Sequence, residues 1–150
     1  MAPLKRHPAL VPISREHHQV LVLAQLLKAD VPNYRGLPET PEEKRVYTQR
    51  FYLEYLKHHL DREDTVLFPL LRGKNSVLDD LMDELVKEHQ AIRRRIQGLK
   101  DGPDLPADLD SLGNLLSDHV RKEERQFFSK LQEVMVEEDW QVLEKKLSAF

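Results

Sequence analysis

YLEYLKHHLDREDTVLFPL, residues 52–70, is the stretch on which the fold turns. With His59 set at zero and about 100° per residue, Tyr52, Tyr55, Leu56, Val66 and Leu70 all lie within about 60° of it. Glu63, one turn further on, lies at about 40°. Two ionisable side chains therefore sit on the apolar stripe of a long helix and point toward a core. His58 is rotated well to the side. Neither this stretch nor any other alternates with period two, so no strand is expected.

Outward from it, Thr40, Pro41, Glu42 and Glu43 form a capping box with proline at the first helical position. The helix they start is expected to run to about Leu71, with Pro69 kinking or ending it. Upstream, Pro3, Pro8 and Pro12 mark residues 1–13 as an extended arm. Ser14 is expected to cap a first helix reaching about Ala29. Pro32, Asn33, Gly36 and Pro38 place a loop over 30–40. Downstream, Gly73, Lys74 and Asn75 make a turn. Ser76 with Asp79 is expected to cap a third helix ending near Leu99. Residues 101–106 break the chain, and a fourth helix is predicted over about 107–136. Asp139 then caps a short helix over about 139–148, with Trp140, Leu143 and Leu147 on one face. Short connections between long amphipathic helices imply antiparallel neighbours. The expected fold is all-α: one domain over 1–150, an up-down-up-down four-helix bundle over about 14–136 with a short extra C-terminal helix.

Composition narrows the function. The chain has 150 residues with 23 basic and 26 acidic side chains, a net charge of −3. Both signs are interspersed, so no nucleic-acid stripe is expected. Cysteine is absent, which removes disulfides, zinc–thiolate sites and thiol catalysis. No segment reads as a signal peptide or membrane span, and a cytoplasmic location is expected. Histidine, with 7 copies, is frequent for this length.

The other helices repeat the pattern of the first stretch. His119 shares a face with Leu112, Leu115 and Leu116, and Glu123 follows one turn on. His89 lies with Met82, Leu85, Ile92 and Ile96. His17 lies with Val20, Leu21 and Ala24, whereas His18 turns toward Gln25. The chain reads as two copies of one helical hairpin. Glu16-His17 opens the first and His59-x-x-x-Glu63 closes it, with Phe68 nine residues after the histidine. Glu88-His89 opens the second and His119-x-x-x-Glu123 closes it, with Phe128 nine after. Aligning the Glu-His pairs matches Val20 with Ile92, Ala24 with Ile96 and Leu27 with Leu99, which independently favours His17 over His18.

Four histidines and two glutamates in one small core need a common cause. A buried carboxylate is costly unless paired, and a pair of metal ions satisfies all six groups together. Imidazole and carboxylate without thiolate suit iron, manganese or zinc. Two carboxylates bridging and two histidines at each end give about four protein ligands per ion. Octahedral ions then keep positions for an oxo or hydroxo bridge and for an exogenous ligand such as dioxygen; a closed zinc site would keep none. The ferritin-like Glu-x-x-His and the protease His-Glu-x-x-His are both absent.

At Ser14–His18, His59–Pro69, Lys87–His89 and His119–Phe128 the chain resembles the hemerythrin-like family, the HHE cation-binding domains, over about residues 10–135. The resemblance implies an up-down-up-down bundle with a non-haem di-iron centre. Its ligands would be His17, His59, Glu63, His89, His119 and Glu123, with Glu63 and Glu123 bridging. Oxygen carriers of that family use five histidines, two of them four residues apart on the third helix. Here Leu85 precedes His89 by four residues and Arg93 follows by four. The carriers also have aspartate five residues after the last histidine. Here that residue is Glu124, about 140° from His119, so Glu123 is the expected ligand. The four-histidine, two-glutamate set is similar to a branch in iron–sulfur repair and nitric oxide chemistry, and to iron sensors. The expected function is binding or sensing of iron, dioxygen, nitric oxide or peroxide. Alternatives are a di-iron enzyme reducing peroxide or nitric oxide, with Tyr52 or Tyr55 as proton donor, and a helical interaction module with incidental metal. His18 and His58 stand next to ligands as possible substitutes.

Overall fold

The computed structural model describes residues 5–32 and 35–150. Pro3 of the expected arm and Asn33 of the expected loop lie outside the described residues. All regular structure among the described residues is helical. A 3-10 turn, Pro8–Leu10, leads into α1, Val11–Leu27. Then come α2 over 41–71, α3 over Ser76–Gln97, α4 over 105–134 and α5 over Glu137–Ser148.

The helix starts differ from expectation in instructive ways. α1 begins three residues before Ser14, because the His7 ring caps the preceding turn, its Nδ1 accepting from the Ala9 N–H at 3.0 Å. Residues 8–13 are thereby helical rather than part of an extended arm, with Ala9, Leu10 and Ile13 buried. Ser14, inside α1, donates instead to the Glu124 carboxylate at 3.1 Å. α1 ends at Leu27, two residues before the expected Ala29. α2 starts as expected: Thr40 Oγ1 accepts from Glu43 N–H. The Glu43 carboxylate, however, takes the Glu39 N–H, one residue upstream of the capping-box position. Asn75, not Ser76, caps α3, accepting from Val77 and Leu78. Asp79 braces the preceding turn by accepting from Gly73 N–H. α3 stops at Gln97. α4 starts at Leu105, with Pro106 in its first turn, where the ring replaces an N–H that has no intrahelical partner. In α5 the cap residue is Val136, and Asp139 reaches back to its N–H at 3.2 Å.

Three π turns interrupt the long helices: Tyr52–Leu56 and Glu63–Leu67 in α2, and Glu123–Phe127 in α4. Each adds one residue to a turn and so rotates everything after it. Val66 and Leu70, expected to face inward, are half-buried, while Leu67, Phe68 and Leu71 take the core. Pro69 ends nothing immediately; the helix continues to Leu71 from the widened turn.

Side chains pack in two apolar clusters. One includes Val20, Ala24, Leu56, Leu60, Ile92, Ile96, Leu112 and Leu116. The other includes Leu10, Ile13, Phe68, Met82, Leu85, Phe127, Phe128 and Trp140. α1 packs most extensively on α4, and Gly113 permits the approach: a Cβ there would stand 2.8 Å from the Ala24 carbonyl oxygen. Trp140 and Leu143 of α5 close the second cluster. Among the described residues, no helix is long and apolar enough to cross a membrane.

Candidate metal centre

Along all four long helices, the residues that separate the two clusters are polar. His17 on α1, His59 and Glu63 on α2, His89 on α3, and His119 and Glu123 on α4 are all buried. They form two overlapping groups, His17–His59–Glu63–Glu123 and Glu63–His89–His119–Glu123, each with its ligand atoms within 4.8 Å of one another. Both glutamates belong to both groups. Nε2 of His17 is 3.0 Å from Glu123, and Nε2 of His59 is 3.1 Å from Glu63. Nε2 of His89 is 3.3 Å from Glu63, and that of His119 is 3.7 Å from Glu123. His18 and His58 point outward and are exposed; His58 lies against the Phe150 ring instead. Glu123, not Glu124, enters the two groups.

The inner atoms do not satisfy one another. Nε2 of His17, His89 and His119 and all four carboxylate oxygens of Glu63 and Glu123 are buried without a hydrogen-bond partner. Polar atoms in that state cost free energy. Lone pairs of nitrogen and oxygen converging without enough protons to share are the donor set that a hard or borderline cation fits.

The outer ring nitrogens, by contrast, are all engaged. Nδ1 of His59 meets Glu16 at 2.8 Å, and Nδ1 of His89 meets Asp64 at 2.7 Å. Nδ1 of His119 meets Glu88 at 2.7 Å, and Nδ1 of His17 meets Glu124 at 3.3 Å. Each carboxylate is a sequence neighbour of an inner residue on its own helix and serves the histidine of the next. The chain of contacts runs α1 to α2 to α3 to α4 and back to α1. An Nδ1–H donated to a carboxylate leaves the Nε2 lone pair aimed inward, the tautomer that metal ligation requires. Each carboxylate in turn holds a cation: Arg62 on Glu16, Arg93 on Asp64 at 2.8 Å, Lys122 on Glu88 at 2.5 Å, and Arg6 on Glu124 at 3.4 Å.

The electrostatics follow from this layering. Burial opposes ionisation of Glu88, but the His119 hydrogen bond and the Lys122 ammonium outweigh it and bring its carboxyl down to about 2. Burial holds the His119 ring down at about 4 despite Glu88, so this imidazole is neutral at neutral pH. His59 and His89 lie higher than usual: burial resists their charging, but Glu63 with Glu16, and Asp64 with Glu63, overcome it. Burial likewise opposes ionisation of Glu63, and His59 and His89 outweigh it, holding the carboxyl well below its ordinary value.

The π turns place the flanking aromatics. Nine residues at about 100° each would put Phe68 and Phe128 opposite their histidines. The widened turns beginning at Glu63 and Glu123 rotate them inward, where Phe68 stacks on His89 at 5.7 Å and Phe128 on His17 at 5.8 Å. Tyr52 is buried in the apolar cluster with Leu56 and Leu60, and Tyr55 packs on Phe51. Sequence reasoning missed Glu16, Asp64 and Glu88 as partners of the histidines. Their signal was adjacency: each stands next to an inner residue.

One protein-family model, described as the Hemerythrin HHE cation binding domain, matches residues 10–131. No curated protein and no solved structure matches the chain.

Proposed function

The chain belongs to the hemerythrin family of HHE cation-binding domains, and we propose that its six inner residues hold two non-haem iron ions. The ions would share Glu63 and Glu123. His17 and His59 would complete one end, and His89 and His119 the other. The observation that carries this reading is the set of buried, unpartnered nitrogen and oxygen atoms drawn from all four long helices. Manganese or zinc fits the same donors; two histidines and two shared carboxylates leave octahedral ions with exchangeable positions, which disfavours a closed zinc site, and the family resemblance favours iron over manganese.

The bundle we infer around the centre is antiparallel and up-down-up-down, with α5 appended. Its support is the pairing of helix ends. Ala29 N–H meets Asp110, and Gln49 meets the Ile96 carbonyl, at one end; Arg72 meets Asp79, and Arg6 meets Gln132, at the other.

A bound iron pair would supply redox chemistry and open positions for a small oxygen or nitrogen ligand. The protein's own contribution is positional. The outer carboxylates fix the histidine tautomers, and the apolar clusters above and below exclude bulk water. Leu85 and Arg93 flank His89 at the four-residue spacing, so α3 offers no second inner histidine, and the four inner histidines divide two and two. We therefore favour binding or sensing of iron, dioxygen, nitric oxide or peroxide over reversible oxygen carriage. Metal analysis after anaerobic iron(II) reconstitution is expected to give two ions per chain. Fewer than one would refute the reading.

A further inference from the structure

Three of the four outer corners are built from helix to helix. In each, the histidine, its carboxylate and the cation all sit within α1–α4, and the Nδ1 contact is 2.8 Å or shorter. The His17 corner differs on both counts. Its Glu124 contact is longer, at 3.3 Å, and its cation comes from Arg6, in the non-helical segment ahead of Pro8.

Arg6 reaches more than the carboxylate. Its Nη2 donates to the Glu124 carbonyl at 3.1 Å and its Nη1 to Gln132 Oε1 at 3.2 Å. Its guanidinium lies 5.2 Å over the Phe128 ring, and that ring stacks on His17. Gln132 grips the same segment twice more: its Oε1 accepts from His7 N–H at 3.1 Å, and its Nε2 donates to the Lys5 carbonyl at 3.0 Å. The His7 ring lies flat on Trp140, 3.8 Å away. The segment is thus strapped across α4 and α5, and both of its routes inward, through Glu124 and through Phe128, end on one histidine.

We propose that Arg6 is a positioning residue that latches this segment onto the centre through Glu124 and Phe128, and that the metal site containing His17 and His59 is the one whose ion exchanges first. The inference rests on the reading of the six inner residues as ligands. A guanidinium held against both the carboxylate and the carbonyl of Glu124 fixes that side chain's position, and through it keeps the His17 ring turned with Nε2 inward. When the strap lifts, His17 is the only inner histidine whose outer carboxylate loses its cation.

The test uses full-length protein loaded anaerobically with iron(II) and challenged with excess iron(II) chelator. Wild-type release should be biphasic. Arg6→Ala should speed the faster of the two phases by at least about fivefold and leave the slower unchanged, and Arg6→Lys should restore part of the difference. Acceleration of the slower phase alone would overturn the assignment. Gln132→Ala, which frees the segment without touching Glu124, should speed the same phase. Lys74→Ala, which removes a surface ion pair to Asp139, should speed neither. In metal-free protein, nitrogen-15 spectra of the imidazoles should show Arg6→Ala shifting the His17 signals and leaving those of His89 in place. Two ions bound with both phases unmoved by Arg6→Ala would overturn the latch while leaving the centre intact. Equal acceleration of both phases, or His17 signals that do not move in the metal-free variant, would also overturn it. Failure to bind two ions counts against the centre itself, and the imidazole spectra then still decide whether Arg6 acts on His17.

Discussion

The two hairpins match closely at the centre and diverge away from it. α1 with α2 and α3 with α4 each contribute two histidines and one shared glutamate, and each has a π turn that begins on the glutamate. Glu16 with Arg62 serves His59 just as Glu88 with Lys122 serves His119. The other two corners are unequal: Asp64 and Arg93 hold His89, whereas Glu124 and the pre-helical Arg6 hold His17. Only α2 has the additional π turn at Tyr52–Leu56, and only the second hairpin is followed by a fifth helix. A repeated unit has kept the geometry of the inner layer and let the supports differ. The inner layer takes matching residues from both halves, while the cation on each outer carboxylate comes from a different place: Arg62, Arg93, Lys122 and the pre-helical Arg6.

The sharpest way to break the symmetry is to remove one shared glutamate at a time. Glu63→Ala and Glu123→Ala each delete a ligand from both groups, so each is expected to drop bound iron below one per chain and abolish the rise in Tm on metal addition. If one variant keeps an ion and the other does not, the halves are not equivalent. Next in size are Phe68→Ala and Phe128→Ala. Both rings are buried and stacked on a histidine of the next helix. Each truncation should cost about 3–5 kcal/mol in urea unfolding of metal-free protein. A large gap between them would mean that the two widened turns do not do equivalent packing.

Those turns are also where the sequence stopped being readable. The inner six residues were legible because four stretches of apolar stripe each carried a misplaced ionisable group, and the repeat removed the ambiguity between His17 and His18. A constant 100° per residue holds in α2 only between its two π turns, over Lys57–Arg62, and fails beyond Glu63, because no residue type announces a π turn. Val66 and Leu70 were therefore assigned inward in place of Leu67 and Phe68. The capping signals misled in two ways: Asn75 caps α3 in place of Ser76, and α1 has no side-chain cap, the His7 ring capping the 3-10 turn ahead of it instead. A cap is decided by which side chain first reaches a free N–H, and several short polar residues in a row all qualify. The outer carboxylates were invisible for another reason. Helical angle puts Glu16, Asp64, Glu88 and Glu124 to the side of their own stripe, and only the neighbouring helix shows that the side is where the next histidine stands.

That outer ring gives a graded comparison. Asp64→Asn, Glu16→Gln and Glu88→Gln should each weaken iron binding by about 10–100-fold, measured by competition with a chromophoric chelator. Glu124→Gln should fall at or below the low end, because its histidine contact is the longest of the four. Equal losses at all four corners would show that the shorter contacts add nothing, and the difference between the halves would then be one of sequence only.

The smallest expected effect belongs to α5, the element with no counterpart in the first hairpin. Its cap carboxylate, Asp139, accepts from Lys74 at 3.0 Å and from Val136 N–H at 3.2 Å, and these bonds hold its carboxyl below the ordinary value of 3.8. A lowered value means that the charged form stabilises the fold. The contribution is complete above about pH 4 and is lost as the pH falls through the folded-state value. Asp139→Asn should therefore lower Tm by about 1–3 °C at pH 7, as suits a partly exposed surface pair. The difference should vanish at a pH low enough to protonate the wild-type carboxyl. Because Asp139 touches neither hairpin's inner residues, the shift should be the same with and without iron. A shift that grows on iron loading would mean that α5, through Trp140 and the His7 ring stacked on it, is coupled to the centre, and that the second hairpin cannot be compared with the first as a unit closed on itself.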